Sequence, residues 1–247
     1  MTNTKGYTLL ELLIAMALSL AVLVPVLQTL AQSRRTYDFQ RELSVLQDNG
    51  RFAVDFLGTR LRESGWGGAT GQLSDGVEGC DGNNCTFARD VRIGGAFEGL
   101  NIGDVIQVRY NSDPSSPIDC FGAAGNNVIN TFFVAPDAGI PSLFCLSSVG
   151  DGVARPLLPD VQNMQITYGV NNGAGIQYVT ANAANMPQVT VVRISLLMRA
   201  ARPTRISIDT RNYVLEGVPF TFQGDANQNR FMRRVYNLTM TLRNRVL

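Results

Sequence analysis

The run Leu9-Leu10-Glu11-Leu12-Leu13-Ile14-Ala15-Met16-Ala17-Leu18 opens an apolar stretch that continues to about Leu30 and constrains everything after it. A helix rises about 1.5 Å per residue, so on the order of 20 apolar residues cross a hydrocarbon core of roughly 30 Å. The stretch therefore predicts a membrane-crossing helix. Glu11 stands in its first turns, where an ionised carboxylate costs on the order of 3 kcal/mol or more and calls for a positive partner. A cut after Gly6 would supply one, because the new amino terminus at Tyr7 would lie one helical turn from Glu11. Two other readings compete. A secretory signal would use Lys5 as its basic start and Thr29-Leu30-Ala31 as its cleavage site, but its apolar region should be shorter and free of acid. A plain membrane anchor would keep residues 1–6.

The chain has 247 residues, room for one long helix and one sizeable domain. Its formal charge of +1 offers no broad basic field for nucleic acid. It contains no histidine, which removes histidine triads, most catalytic zinc sites and the usual general base at neutral pH. No G-x-S-x-G elbow is present either. The expectation is a structural subunit without a cofactor; an anchored periplasmic enzyme would need a clustered polar pocket. Cys80, Cys85, Cys120 and Cys145 all follow the apolar stretch, and an even number in an exported region reads as two disulfides. Three pairings are possible, and proximity favours Cys80 with Cys85 and Cys120 with Cys145. Zinc held by all four lacks the usual CxxC spacing.

Phe39, Leu43, Leu46, Gly50, Ala53, Leu57 and Leu61 recur at steps of three and four, so the helix is expected to continue as an amphipathic half to about Glu63. Pro25 removes a backbone donor and is expected to kink or break the membrane half. Beyond Ser64 a glycine-rich region runs to about Gly103; no strand precedes it and no Gly-Lys-Ser/Thr follows, which excludes a phosphate loop. From Asp104 the period changes to two: Ile106, Val108 and Tyr110, then Met164, Ile166, Tyr168 and Val170, then Val192, Ile194, Leu196 and Met198, then Tyr236, Leu238, Met240 and Leu242. Each alternation marks a strand with one buried and one wet face, as in an antiparallel sheet. Shorter apolar runs at 131–135 and 142–146 add strands. Arg233 and Arg243 fall on the wet side of the last alternation and read as solvated. The fold class is α+β: a long helical spine packed on an antiparallel β-domain with long loops.

The polar leader ending in Lys5-Gly6, followed by Tyr7-Thr8-Leu9-Leu10-Glu11 and the apolar helix, resembles the class III signal of type IV prepilins and type II secretion pseudopilins. Residues 161–170, 192–200 and 230–245 look like the PilW family of minor pilins, which is related to the J-type pseudopilins of type II secretion. The resemblance implies a type IV pilin-like fold with a prepilin leader at 1–6, a helix at 7–63 and a β-rich periplasmic domain at 64–247. Within that helix, about 9–30 would be transmembrane and 31–63 periplasmic. It implies cleavage after Gly6 by prepilin peptidase, N-methylation of Tyr7, and Glu11 as the carboxylate that guides docking into a filament. Pro25 would mark local melting on packing, although the family's usual proline lies a few residues later. The implied function is a minor pilin that helps initiate pilus assembly in a priming or tip complex, supporting twitching motility and adhesion. Its partners would be other minor pilins, the major pilin, the inner-membrane assembly platform and a tip adhesin; the rival within this class is a J-type pseudopilin.

Lys5 before the apolar stretch and Arg34-Arg35 after it leave the positive-inside count ambiguous. The cysteines and the prepilin-like signal place the carboxyl-terminal part in the periplasm, from which the protein would pass to the pilus tip. Some pseudopilins bind calcium in their loops, and Asp75, Asp81 and Asp90 are weak candidates here. Their spacing fits no EF-hand, and acidic and amide residues are common in solvated turns.

Overall fold

The computed structural model describes residues 8–67, 76–80, 103–111, 118–205, 207–220 and 228–244. Helix α1 (Leu9–Glu63) has 55 residues, which makes it about 80 Å long. Thr8 starts it from an extended backbone, with its hydroxyl accepting from the Glu11 N–H. At the other end the Ser64 hydroxyl donates to the Leu61 carbonyl at 2.6 Å, and Gly65 at φ 75° turns the chain away. Pro25 lies inside α1 without ending it. The expected break is reduced to one missing donor in an otherwise continuous ladder, while Thr29 donates its hydroxyl to the Pro25 carbonyl at 2.8 Å.

Only the second half of α1 is covered by the rest of the chain: Leu46, Gly50, Ala53, Leu57, Gly58 and Leu61 are buried. Phe39, the first residue of the expected stripe, is 39% exposed, and Leu43 is half-buried. The first half is long and apolar enough to cross a membrane, and no part of its apolar window is buried by the chain.

Strands β1 (Val77–Cys80), β2 (Val105–Tyr110), β3 (Val128–Asp137), β4 (Ile140–Ser147) and β5 (Arg155–Pro159) form an antiparallel sheet in chain order. Ala138 and Gly139, both at positive φ, close the β3–β4 hairpin in two residues. A second sheet uses β6 (Val161–Asn171), β7 (Ile176–Val179) and β8 (Val189–Arg199). After a small hairpin of β9 (Tyr213–Leu215) and β10 (Val218–Phe220), it is completed by β11 (Arg233–Thr241), giving the order β11-β8-β6-β7. The two larger sheets meet through a bridge between Gly103 and Met164. There the Asp104 N–H donates to the Met164 carbonyl and the Asp104 carboxylate accepts from the Ile166 N–H, each at 2.8 Å.

The inward residues of both sheets and the buried face of α1 share one core, in which Tyr110, Tyr168 and Phe132 are the largest fully enclosed side chains. Alternation explains it. Ile106, Val108 and Tyr110 on β2, and Met164, Ile166 and Tyr168 on β6, all point inward, while α1 crosses β11 through Tyr236, Leu238 and Met240.

Gly50 sets how closely helix and sheet approach. A Cβ there would run into the ring of Tyr236, whose hydroxyl donates to the Leu46 carbonyl at 3.1 Å. Alanine would gain about 1 kcal/mol of helix propensity, but overpacking costs about 1 to 3 kcal/mol. Gly50→Ala is therefore expected to lose about 1 kcal/mol net in a denaturant melt. An unchanged or higher midpoint would mean that the Tyr236 ring moves aside freely.

Candidate functional site

The amino end of α1 is held by a reciprocal cap. Glu11 donates its N–H to the Thr8 hydroxyl at 3.3 Å, and its carboxylate accepts from the Thr8 N–H at 3.2 Å and the Thr8 hydroxyl at 3.3 Å. Thr8-x-x-Glu11 is a capping box, a pattern visible in the sequence but overshadowed there by the charge problem. Glu11 thus has a local task, fixing the first turn, and its carboxylate is turned back towards the amino end of the helix. It is exposed along with Leu9 and Leu10. Gly6 and Tyr7 lie outside the described residues, so the pairing of Glu11 with a Tyr7 amine rests on sequence spacing.

Among the cysteines, Cys120 and Cys145 are joined, with Cα atoms 6.6 Å apart. Cys80 is buried at the end of β1 and is itself disulfide-bonded. Cys85 lies outside the described residues, as do Asp75, Asp81 and Asp90. Among the described residues no group of three or more potential ligands comes together as a metal site.

The outer face of the second sheet departs from the sequence expectation. Ser195 on β8 is 2% exposed and Arg233 on β11 only 5%, although both occupy positions that the alternation leaves wet. The reason is a cover: Leu197, Tyr213 and Leu215 form a separate small core, with Phe220 and Val235 packed against it. The covering hairpin turns through Glu216 (φ 46°) and Gly217 (φ 88°). From that turn the Glu216 carboxylate accepts from the Thr167 hydroxyl at 2.8 Å and the Ser195 hydroxyl at 2.6 Å. Arg193 lies 3.8 Å away and stacks over the Tyr178 ring at 3.9 Å. Arg243, by contrast, is exposed, in the turn beyond β11.

The buried Arg233 is answered by Asp209, which is 1% exposed. Arg233 lies 3.5 Å from its carboxylate and Arg205 3.4 Å, and Arg211 donates from Nε at 2.8 Å. Tyr213 donates its hydroxyl at 2.6 Å. Burial opposes ionisation of Asp209, but the hydrogen bonds from Arg211 and Tyr213 outweigh it and hold the carboxyl well below the usual range. The Tyr213 hydroxyl is pushed up by burial and by its bond to Asp209. Arg233 also donates from Nε to the Gln162 side chain at 2.7 Å. Asp160 differs: burial raises its carboxyl even though Arg199 donates to it at 2.9 Å. Nothing in the spacing of Arg205, Asp209, Arg211 and Arg233 announces their convergence, because no secondary structure with a readable period connects them.

Two family models match the chain. Residues 1–27 match the prokaryotic N-terminal methylation motif, and residues 131–244 match the family described as type IV pilus-assembly protein W, or PilW. No curated protein matches. Among solved structures, the type IV-like pilin TTHA1219 from Thermus thermophilus is 14% identical, with a TM-score of 0.44, over 81% of this chain and 96% of its own. A methylation motif at the head of an exposed apolar helix, carrying an antiparallel β-domain, defines a type IV pilin-type structural subunit rather than an enzyme. From Thr131 to Asn244 the chain is similar to the PilW family of type IV pilus-assembly proteins. Its helix and motif point to membrane anchoring.

Proposed function

We propose that this chain is a minor pilin that helps start type IV pilus assembly within a complex of minor pilins and remains near the filament tip, supporting twitching and adhesion. In this reading prepilin peptidase cuts after Gly6, Tyr7 is N-methylated, and the protein waits in the inner membrane with its β-domain in the periplasm. Its partners are other minor pilins, the major pilin, the assembly platform and a tip adhesin. The observation that carries the reading is the state of the helix. From Leu9 to Leu30 every residue is exposed, and Glu11 is the sole charge between Leu9 and Arg34. Such a surface is complete only among other helices, where close packing and charge pairing replace lipid contact.

Two substitutions separate the roles of Glu11. Glu11→Gln keeps an acceptor for the Thr8 cap but loses the charge, whereas Glu11→Ala loses both. Both should still be cut before Tyr7, as read by N-terminal sequencing, and both should lower the number of surface pili about tenfold or more, given the energy of an intramembrane charge. Normal piliation in Glu11→Gln would leave the residue with a capping role alone. A deletion strain that keeps its pili but stops exporting proteins would assign the chain to the J-type pseudopilins instead.

A further inference from the structure

A groove of about 1280 Å³ lies between α1 and the arginine-rich segment of the second sheet's cover. One wall is the helix from Gln28 to Leu46; the other carries Thr204, Arg205, Arg211 and Arg234. Its position along α1 is informative. The apolar run ends at about Leu30, and the headgroup layer beyond a hydrocarbon core is roughly 5 to 8 Å deep on each side. Gln28 to Arg35 spans about 10 Å of helix, so this end of the groove opens at the headgroup level. Tyr37, 65% exposed, and Phe39 follow immediately, where aromatic side chains sit at membrane–water boundaries.

The charge of the groove is one-sided. Arg35, Arg205, Arg211, Arg233 and Arg234 line it, against Asp38 and the enclosed Asp209. Among the described residues, Arg205, Arg211 and Arg233 all lie at the carboxylate of Asp209, three positive groups around one negative. The Arg211 side chain is 53% exposed and able to reach a ligand while paired. Arg35 and Arg234 are exposed. The Thr204 hydroxyl, enclosed in the same wall, has no hydrogen-bond partner among the described residues. It is a donor placed beside guanidinium groups, the combination that binds phosphate oxygens.

We infer that this groove is a seat for the headgroup of an anionic phospholipid, whose acyl chains lie along the exposed Leu23, Leu27 and Leu30 of the same helix. Bound lipid would hold the β-domain against the membrane surface before the subunit is extracted into a filament. The inference rests on the membrane-anchored reading but not on the priming role.

The full chain is first incorporated into vesicles of phosphatidylcholine with and without phosphatidylglycerol. Failure to insert into either would overturn the anchored reading and this one together. Native mass spectrometry from detergent, with equimolar phosphatidylglycerol and phosphatidylcholine, then reads the site. The parent should retain phosphatidylglycerol about tenfold over phosphatidylcholine, since each basic residue near an anionic surface contributes about 1 kcal/mol. Arg35→Gln/Arg234→Gln should bring the ratio near unity without changing the melt, and Arg205→Gln/Arg211→Gln should do the same if the fold survives. Arg155→Gln, which touches Asp151 in another loop, should keep the parent's ratio. Equal retention of the two lipids by the parent, an unchanged ratio in Arg35→Gln/Arg234→Gln, or displacement of lipid by millimolar inorganic phosphate would each overturn it. The last would indicate a free-anion site, and chain dimers in place of lipid adducts would assign the groove to a second copy.

Discussion

Asp209→Asn is expected to destabilise the fold by about 3 to 5 kcal/mol, because it removes a buried carboxylate that answers a fully enclosed Arg233. Asparagine can still accept from Tyr213, so the hydrogen bond survives in part and the charge does not. Arg205 and Arg211 are 25% and 53% exposed and can turn to water, but Arg233 cannot. The sign of the pH dependence follows from the depressed carboxyl. A group held below its unfolded value stabilises fully above about pH 4 and loses that contribution as pH falls towards the folded value. The gap between parent and Asp209→Asn should therefore be widest near neutrality and narrow as pH drops below about 4. Asp160 and Glu63, both raised chiefly by burial, push the opposite way, yet they are common to both proteins and cancel in the difference. Denaturant midpoints at a series of pH values measure it; a gap that stayed constant would show that Asp209 acts through shape and not through charge.

This cluster also marks where reading the sequence fails. The long helix was legible because its apolar run and its three-and-four stripe are local signals repeated over many residues, and α1 does end at Glu63. The alternations at β2, β6, β8 and β11 were legible for the same reason. Arg233 was misread because a strand's own period tells which residues share a face, never whether that face is later covered. The cover here is a hairpin of three-residue strands and an irregular segment, too short to carry a period. Strands β1 and β7, four residues each, escaped for the same reason. For Glu11 the sequence poses an electrostatic problem, and the capping box gives the residue a local partner that needs no second molecule. Pro25 shows the limit of a residue-level rule: one absent donor does not break a helix whose remaining ladder is intact.

Removing the Cys120–Cys145 bond is expected to cost about 3 kcal/mol, and the reason lies as much in the unfolded chain as in the folded one. The bond closes 25 residues of sequence, and a loop of that size loses about 3 kcal/mol of entropy from the denatured ensemble. In the folded state Cys145 is fully buried on β4 opposite Phe132, while Cys120 lies in a turn whose Asp119 carboxylate accepts from the Phe121 and Ala123 N–H groups at 2.8 and 2.7 Å. That turn meets the helix through Ile118, whose carbonyl accepts from Arg60 of α1 at 2.7 Å and from Tyr110 of β2 at 2.9 Å. Burial drives the Tyr110 hydroxyl up to about 12, so it stays a donor throughout the neutral range. The staple thus ties the first sheet to the end of the spine. Cys120→Ala/Cys145→Ala is the informative variant, because serine at the buried Cys145 would add the separate cost of an enclosed hydroxyl. A constraint on the unfolded state predicts a lower midpoint together with a steeper denaturant dependence, since the freed chain exposes more surface on unfolding. A loss below about 1 kcal/mol with an unchanged slope would mean that the hydrogen bonds of Asp119, Tyr110 and Arg60 already hold the turn against the helix without the bond.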